Sequence, residues 1–174
     1  SQFSRGFDGQ ITDRNAPHIA NARFYRRGAM FWDERAASLE EQALGPIQSP
    51  VEMGNTLANV VATVENLAFY PPLFDAAFGD DQVTAERIGM ASAQFQRAMV
   101  SSQSDFDTAV IINNPNANTP NFVGLLTPQQ LHGMALFQPV DAADLAQAGL
   151  PPIQTMGCNQ CHQTNAQIYD RPPQ

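Results

Sequence analysis

The sequence contains no lysine, so its nine positively charged side chains are all arginines, and 17 aspartates and glutamates outnumber them. The formal net charge is -8 and the sequence pI is about 4.6. This acidic balance argues against binding to nucleic acid or to anionic membranes, and it would suit a basic protein partner. A merely solvated acidic surface explains the same balance equally well.

The sequence also lacks an apolar run of membrane-spanning length, and its first residues lack the charged and apolar regions of a signal peptide. We therefore expect no membrane span. We also expect either that a signal peptide was removed or that the sequence begins downstream of one. At 174 residues the chain is long enough for one ordinary domain or for pieces of two small ones.

Cysteine is scarce, and the two cysteines present both lie in the segment Cys158-Asn159-Gln160-Cys161-His162. In C-x-x-C-H each thiol forms a thioether to a haem vinyl group, so Cys158 and Cys161 are predicted to bind haem c covalently. The adjacent imidazole of His162 is the predicted axial ligand of the iron. Because haem c is attached on the outer side of the bacterial inner membrane, the motif predicts a periplasmic protein.

Three alternatives to haem attachment are a thioredoxin-like redox pair, half of a zinc site and a chance disulfide. No strand is predicted before the motif, which argues against the redox pair. The chain has no further cysteine to complete a set of zinc ligands. Covalent haem is therefore the preferred interpretation.

The spacing of apolar residues predicts a mostly α-helical fold with much irregular chain and hardly any strand. The first thirty residues are interpreted as loop. A helix over Ala36–Leu44 is expected to open with a capping box at Ser38 and Glu41, and Gly45-Pro46 is expected to stop it. A second helix is predicted to begin at the N-cap Asn55 and to end at Pro71-Pro72.

The longest predicted helix runs from Thr84 to Val100. Its buried stripe is expected to contain Ile88, Ala91, Phe95 and Met99. Thr127-Pro128-Gln129-Gln130 predicts another helix start, with Thr as N-cap, Pro at the first position and Gln closing the box. The segments Asn113–Thr127 and Pro139–Pro152 are interpreted as a loop and a linker.

Several blocks in a fixed order resemble the bacterial di-haem cytochrome c peroxidase and MauG family, and they cover most of the chain from Arg14 to His162. The order of these blocks is far more specific than C-x-x-C-H alone. They are Arg14-Asn15-Ala16-Pro17, Asn21-Ala22-Arg23-Phe24, Phe31-Trp32-Asp33-Glu34-Arg35-Ala36, Leu39 to Ile47, Pro50-Val51-Glu52-Met53-Gly54, Gly133-Met134-Ala135-Leu136-Phe137 and Gly157-Cys158-x-x-Cys161-His162.

The resemblance implies two cytochrome-c-like helical domains, each with one haem. Residues 1–125 would be part of the peroxidatic domain, and residues 126–174 would begin the electron-transfer haem domain. One haem c would be bound by this chain. The second is expected on a missing segment of the same polypeptide, because no C-x-x-C-H precedes Arg14. The sequence also stops soon after His162, so we expect a fragment of a longer chain.

The same resemblance implies roles for individual residues. Trp32 would lie between the haems as an electron relay, although a large core anchor is the alternative. Gln42 and Glu52 match the distal pocket of the peroxidatic haem, where Glu52 would move a proton of hydrogen peroxide and Gln42 would hold peroxide or water. Taken singly, either residue is more often an exposed polar group. Pro50 and Gly54 would fix the loop that aims Glu52.

Two further positions bear on metal binding. Asn15 matches a position that helps to bind calcium between the domains, although one oxygen ligand is weak evidence for calcium. Classical members also carry a switch histidine before Arg-Asn-x-Pro, and residues 1–13 contain none. Either the switch is absent or its ligand lies elsewhere, and His18 is better explained as a surface or capping histidine.

The resemblance implies an oxidoreductase that reduces hydrogen peroxide, with electrons from a small donor protein such as a cytochrome c or a cupredoxin. A variant is the oxidation of a protein substrate, as in MauG. The alternative is an electron carrier without peroxide chemistry, which would not need Gln42 and Glu52. Family members are commonly dimers, so a homodimer is a further candidate assembly.

Overall fold

The computed structural model describes residues 3–25, 27–112, 122 and 124–160, with backbone only for residues 109–112. Within this part the regular structure is helical, apart from isolated bridges at Arg5–Ile11 and Met30–Ala36, so the predicted mostly α class is confirmed. The α-helices are α1 (Leu39–Gln48), α2 (Leu57–Asn66), α3 (Tyr70–Phe78), α4 (Ala85–Ala98), α5 (Asp105–Ile112), α6 (Pro128–Phe137) and α7 (Ala142–Gln147), and short 3₁₀ helices span Ala22–Phe24 and Cys158–Gln160.

The chain divides into two compact units, unit 1 (Ser1–Val100) and unit 2 (Ser101–Gln174). Unit 1 contains α1 to α4 and a long irregular N-terminal segment. Unit 2 contains α5 to α7 and the first residues of the haem motif. The assignment of a peroxidatic domain over 1–125 and an electron-transfer domain over 126–174 stays a prediction.

The predicted caps at Ser38 and Thr127 are confirmed, and Thr84 caps α4 in the same way. Ser38, Thr84 and Thr127 each accept a hydrogen bond from the backbone N–H three residues later, and Thr127 with Gln130 forms a complete capping box. At α1 the second half of the box differs, because the Glu41 carboxylate accepts from Ala37 N–H at 2.8 Å. These bonds join residues only a few positions apart, which explains why local sequence predicts them.

The predicted N-cap at Asn55 is wrong by one residue. Thr56 caps α2 by accepting from the N–H of Asn59 at 3.2 Å. The Asn55 side chain accepts instead from the N–H of Thr56 at 2.8 Å, so it shapes the turn before the cap. Both residue types favour this position, and sequence alone did not distinguish them.

Both predicted proline stops are wrong. Helix α1 continues through Gly45-Pro46 to Gln48, and Pro71-Pro72 lies in the first turn of α3. Proline is tolerated in a first turn because the N–H groups there have no helical partner. Pro46 has no N–H, so the carbonyl of Gln42 lacks its helical hydrogen bond, and α1 continues despite this loss.

Helices α1 and α4 pack closely at a glycine. A Cβ at Gly89 would come within 3.1 Å of the carbonyl oxygen of Glu40 and 3.3 Å of Leu44 Cγ. The buried positions of α4 are accordingly Gly89 and Ala93, whereas Phe95 is 69% exposed. The predicted stripe through Ala91 and Phe95 is therefore wrong, because close helix contact selects the smallest side chains rather than the most apolar ones.

A two-pronged ion pair joins the same helices. Arg97 donates to both carboxylate oxygens of Glu40, at 2.5 and 3.0 Å. The Arg97 hydrogen bonds hold the pKa of Glu40 down at about 2, although partial burial opposes this shift. Paired guanidinium and carboxylate groups of this geometry are the stronger kind of surface ion pair.

We expect Glu40→Gln to lower the free energy of unfolding by about 1 kcal/mol at pH 7, a value discounted because a third of each side chain is exposed. The pKa of Glu40 is lowered by folding, so its contribution is complete above about pH 5 and disappears as the pH falls towards 2. Urea unfolding from pH 7 to pH 2 measures the difference. Glu65→Gln on the exposed face of α2 is the matched control. A difference that persists at pH 2 would contradict the ion-pair explanation.

Unit 2 has a small core of its own, formed by Phe122, Leu131, Ala135 and Leu145. Helix α7 supplies Leu145 and lies within the predicted linker, which is therefore wrong over Ala142–Gln147. Asp141 begins this helix by accepting from the N–H of Ala143 at 2.8 Å. The loop predicted over Asn113–Thr127 lies mostly outside the described residues.

Candidate functional site

Unit 1 contains a cavity of about 520 Å³ that brings together all four site residues predicted for the first domain. These are Asn15, Trp32, Gln42 and Glu52, which lie in the N-terminal segment, in the turn before α1, in α1 and in the loop after α1. Apolar side chains complete much of the wall, among them Ile11, Ile19, Met30, Phe31, Leu39 and Val51. The volume lies in the usual range for ligand and cofactor sites.

Helix α1 carries Gln42 into the wall of this cavity. Gln42 and Pro46 lie one helical turn apart on the same face, and both line the cavity. The Gln42 side chain is half-buried, and within the described residues its amide has no hydrogen-bond partner. It is therefore free to bind a small polar molecule.

Glu52 lies in the loop after α1, and its backbone is held by hydrogen bonds to this loop and to the N-terminal segment. Its N–H donates to Ser49 Oγ at 3.3 Å, and its carbonyl accepts from the N–H of Phe7 at 2.9 Å. Gly54, at φ +56°, closes the loop by donating to the carbonyl of Ser49 at 2.8 Å. The half-buried Glu52 carboxylate itself has no partner in the described part of the chain.

The N-terminal segment fits this loop through Gly6, which lies in the stretch predicted to be loop. A Cβ at Gly6 would lie 1.5 Å from the carbonyl oxygen of Val51, an impossible distance. The next residue, Phe7, lays its ring against Gly54, where a Cβ would come within 2.4 Å of it. No sequence pattern pointed to this contact, because it joins segments far apart in the chain.

Trp32 lies in a turn at the edge of the cavity. Its indole N–H donates to the carbonyl oxygen of Asn15 at 2.7 Å, and its side chain is 65% exposed. The turn is closed by the N–H of Glu34, which donates to the carbonyl of Phe31 at 3.2 Å. The exposure does not fit the alternative of a core anchor.

The same turn contains unusual backbone conformations. Phe31 has φ +70° and Glu34 has φ +55°, in a region that costs non-glycine residues roughly 1–2 kcal/mol. The Arg35 guanidinium lies 3.6 Å above the Phe31 ring, and that ring packs against Gly45 of α1. These contacts support the strained turn and fix where Trp32 lies.

Charged groups at the cavity wall form a three-membered network. Asp33 accepts from Arg35 at 2.8 Å and from Arg14 at 2.9 Å. The Arg35 hydrogen bond lowers the pKa of the exposed Asp33, and Arg14 adds to the effect while desolvation opposes it. Two guanidinium groups share one carboxylate, so the network carries a net positive charge.

The oxygens of Asn15 are already engaged within the chain. Its Oδ1 accepts from Ser4 Oγ at 3.2 Å and from the N–H of Ala16 at 3.0 Å, while its carbonyl holds Trp32. No cluster of three or more acidic, histidine or cysteine side chains suited to a metal occurs among the described residues. Calcium binding at Asn15 stays a prediction.

His18 also lines the cavity. Its side chain is exposed, and its Nδ1 lies 3.2 Å from the carbonyl oxygen of Ala20.

The haem motif of unit 2 follows a tethered loop. Met156 N–H donates to the carbonyl of Leu136 at 2.8 Å, and Gly157 turns the chain at φ +71° into the 3₁₀ helix Cys158–Gln160. Cys158 is half-buried. Cys161 and His162 lie outside the described residues, so their predicted roles are untested by the structure.

A family model for di-haem cytochrome c peroxidases matches residues 1–114, which include every residue lining the cavity. The chain belongs to this family. Its members are oxidoreductases, and membership implies covalent haem c. The family interpretation drawn from the sequence blocks is therefore confirmed.

Three relatives illustrate the similarity. The methylamine utilization protein MauG of Methylophilus methylotrophus is 43% identical over 114 residues, which cover 62% of this chain and 34% of that protein. The cytochrome c551 peroxidase of Nitrosomonas europaea is 42% identical over 93 residues, which cover 53% of this chain and 27% of that protein. A crystal structure of a MauG-like protein associated with microbial copper homeostasis matches with a TM-score of 0.62 at 29% identity, covering 79% of this chain and 38% of that one. The chain thus spans about a third of the length of these relatives.

The residues present suit one face of a haem in the cavity, because two uncommitted polar side chains stand beside apolar wall residues such as Phe31 and Val51. They do not suit its attachment. Both cysteines of the chain lie in the motif of unit 2, so no thiol is available in unit 1. The cysteines for thioether bonds at the cavity would have to come from another segment of the polypeptide.

No helix in the described part of the chain has both the length and the apolar character of a transmembrane segment.

Proposed function

We propose that the complete protein reduces hydrogen peroxide to water at the cavity of unit 1. Two electrons and two protons are consumed for each peroxide. A small donor protein, a cytochrome c or a cupredoxin, supplies the electrons at the haem held by Cys158, Cys161 and His162. The observation that carries the proposal is the meeting of Trp32, Gln42 and Glu52 at one cavity, since an electron carrier does not need this combination.

Glu52 serves as the acid and base of the reaction. One carboxylate oxygen takes the proton from the inner oxygen of peroxide and delivers it to the leaving oxygen. Its held backbone and unpaired carboxylate support this role, because a catalytic base must be both positioned and uncommitted. Gln42 binds peroxide or water through its amide and undergoes no change of charge.

Trp32 carries electrons between the donor haem and the cavity. Haem iron, when bound, supplies the site that accepts peroxide oxygen and stores oxidising equivalents. The indole lines the cavity and is also 65% exposed. It can therefore exchange an electron with a group in the cavity and with a group at the protein surface. This exposure also supports a second candidate function, the oxidation of a protein substrate in the manner implied by the similarity to MauG.

The remaining parts of the proposal concern location and assembly. The attachment of haem c implies a periplasmic protein. The second haem is carried by another segment of the same polypeptide, and the protein assembles as a homodimer. Calcium binds near Asn15 through backbone carbonyls and water, because the oxygens of Asn15 itself already accept hydrogen bonds within the chain.

A haem count on the complete native protein tests the proposal. Pyridine haemochrome absorbance against protein mass should give two haems per polypeptide, and peroxide should oxidise a reduced small donor protein in the same preparation. One haem and no peroxide-dependent oxidation would instead support an electron carrier, because Gln42 and Glu52 would then have no iron to serve.

Replacing Trp32 by phenylalanine should slow peroxide-driven oxidation of the donor, because the relay loses its oxidisable indole. The haem count should be unchanged. Stopped-flow spectroscopy of the reduced protein separates this electron-transfer step from peroxide binding. Phe31 and Arg35 support the turn independently of the indole, so the fold should survive. Unaltered electron-transfer rates would reject the relay.

A further inference from the structure

Tyr25 forms a hydrogen-bonded pair that the proposed function leaves unexplained. It follows the 3₁₀ helix Ala22–Phe24, and its side chain is 47% exposed. Its phenol O–H donates to Glu34 Oε1 at 2.5 Å, and Arg27 binds the other oxygen of Glu34 at 2.8 Å. The carboxylate is thus held with one oxygen directed at the phenol.

The acceptor of this pair, Glu34, lies close to Trp32 along the backbone. Glu34 lies two residues after Trp32 in the turn closed by the hydrogen bond to Phe31, so the two Cα atoms are at most about 7 Å apart. Glu34 has φ +55°, a strained conformation of the kind that collects at functional sites. The tyrosine, its acceptor and the indole therefore belong to one small structural unit.

The pair has the arrangement that a tyrosine needs to lose an electron and a proton together. Removing one electron from a phenol makes its proton strongly acidic, and a hydrogen-bonded carboxylate can take that proton without diffusion. The hydrogen bond to Glu34 raises the pKa of Tyr25 above its ordinary value, so the phenol stays protonated near neutrality. Nearby Arg27 opposes this shift without reversing it.

We propose that Tyr25 is a redox-active residue that reduces oxidised Trp32 and transfers its phenolic proton to Glu34. One electron passes from the phenol to the indole radical cation, which returns to neutral indole. The O–H bond of Tyr25 breaks and a bond from the proton to Glu34 Oε1 forms, leaving a neutral tyrosyl radical. Hydrogen peroxide is the ultimate oxidant, so the inference rests on the proposed relay at Trp32. The exposed tyrosyl radical then takes one electron from the small donor protein of the proposed function, and the proton returns from Glu34 Oε1 to the phenolic oxygen.

The test uses the complete holoprotein without peroxide, oxidised by a flash-excited ruthenium polypyridyl complex with a sacrificial electron acceptor. Transient absorbance follows the indole radical, and the Trp32→Phe variant subtracts signals from other indoles. The Trp32 radical should live about ten-fold longer in Tyr25→Phe than in the natural protein. Tyr70→Phe is the matched control, because Tyr70 packs against Phe69 and has no hydrogen bond to a carboxylate among the described residues.

A second variant separates proton transfer from mere structure. In Glu34→Gln the side-chain carbonyl still accepts the phenol hydrogen bond but is a poor proton acceptor, so the Trp32 radical should again live about ten-fold longer. A solvent deuterium isotope effect on its decay should be present in the natural protein and lost in both variants. Unchanged lifetimes in Tyr25→Phe and Glu34→Gln would overturn the inference.

The same preparation distinguishes failure of this inference from failure of the proposed function. Normal peroxide turnover with unchanged radical lifetimes would remove only the role of Tyr25. A natural protein without any Trp32-dependent radical would overturn the role of Tyr25 together with the relay. Normal turnover in that case would leave peroxide reduction itself standing.

Discussion

We expect Glu52→Gln in the complete protein to slow peroxide turnover by about 10²- to 10⁴-fold, the usual contribution of a positioned acid or base. Glutamine keeps the size and the hydrogen-bonding shape of glutamate but cannot accept the proton that leaves the inner oxygen of peroxide. The backbone bonds that hold residue 52, from Phe7 and to Ser49, are made by main-chain atoms of Glu52 and survive the change. Steady-state oxidation of a reduced donor by peroxide measures the effect.

The control for this change is Glu65→Gln, which alters the same chemical group on the exposed face of α2 and should leave turnover unaffected. The absorbance spectrum of the haem at His162 should be the same in both variants. A slow Glu52→Gln protein with normal peroxide binding would place the loss in proton transfer. Full activity in Glu52→Gln would reject the proton-transfer role.

The second large effect is expected from Gly6→Ala, a substitution of a residue that touches no reactant. The added methyl would overlap the carbonyl oxygen of Val51, so the N-terminal segment and the loop of Glu52 must move apart. The hydrogen bond from Phe7 N–H to the carbonyl of Glu52 would be lost or lengthened. Because a displacement of about 1 Å can cost 10²-fold in rate, we expect turnover to fall by about that factor.

Gly133→Ala is the matched control for Gly6→Ala. Gly133 lies in α6, and a Cβ there would have no neighbour within 4 Å among the described residues. This change should be neutral or should stabilise the protein by about 0.5–1 kcal/mol, because alanine favours helix. Thermal unfolding of both variants shows whether a loss of turnover comes from unfolding or from displacement of Glu52 in a folded protein. Normal turnover in Gly6→Ala would show that the N-terminal segment does not position Glu52.

Features with local causes were predicted well. The caps at Ser38 and Thr127 depend on a side chain and an N–H three residues apart, so a short stretch of sequence contains the whole interaction. The two proline stops were predicted wrongly for the opposite reason. Whether Pro46 ends α1 depends on what packs around it, and Phe31 and Gly45 support a helix that continues.

The prediction of the buried face of α4 was wrong because apolar periodicity reflects side-chain hydrophobicity and not the distance between helices. Gly89 and Ala93 are buried because α1 approaches closely, and Phe95 is exposed at 69%. The α1 residues that Gly89 meets, Glu40 and Leu44, lie more than forty positions before it in the sequence. No window of sequence around α4 contains the information that decides which face is covered.

The sequence alone was enough to predict the mostly helical class, the family and the candidate site residues, because these depend on residue types in a fixed order. Only the tertiary structure brought Trp32, Gln42 and Glu52 to one cavity. It alone also revealed Gly6 against Val51 and Tyr25 against Glu34. Such contacts join segments that are distant or unpatterned in sequence, and they form only when the chain folds and excludes the alternatives by packing.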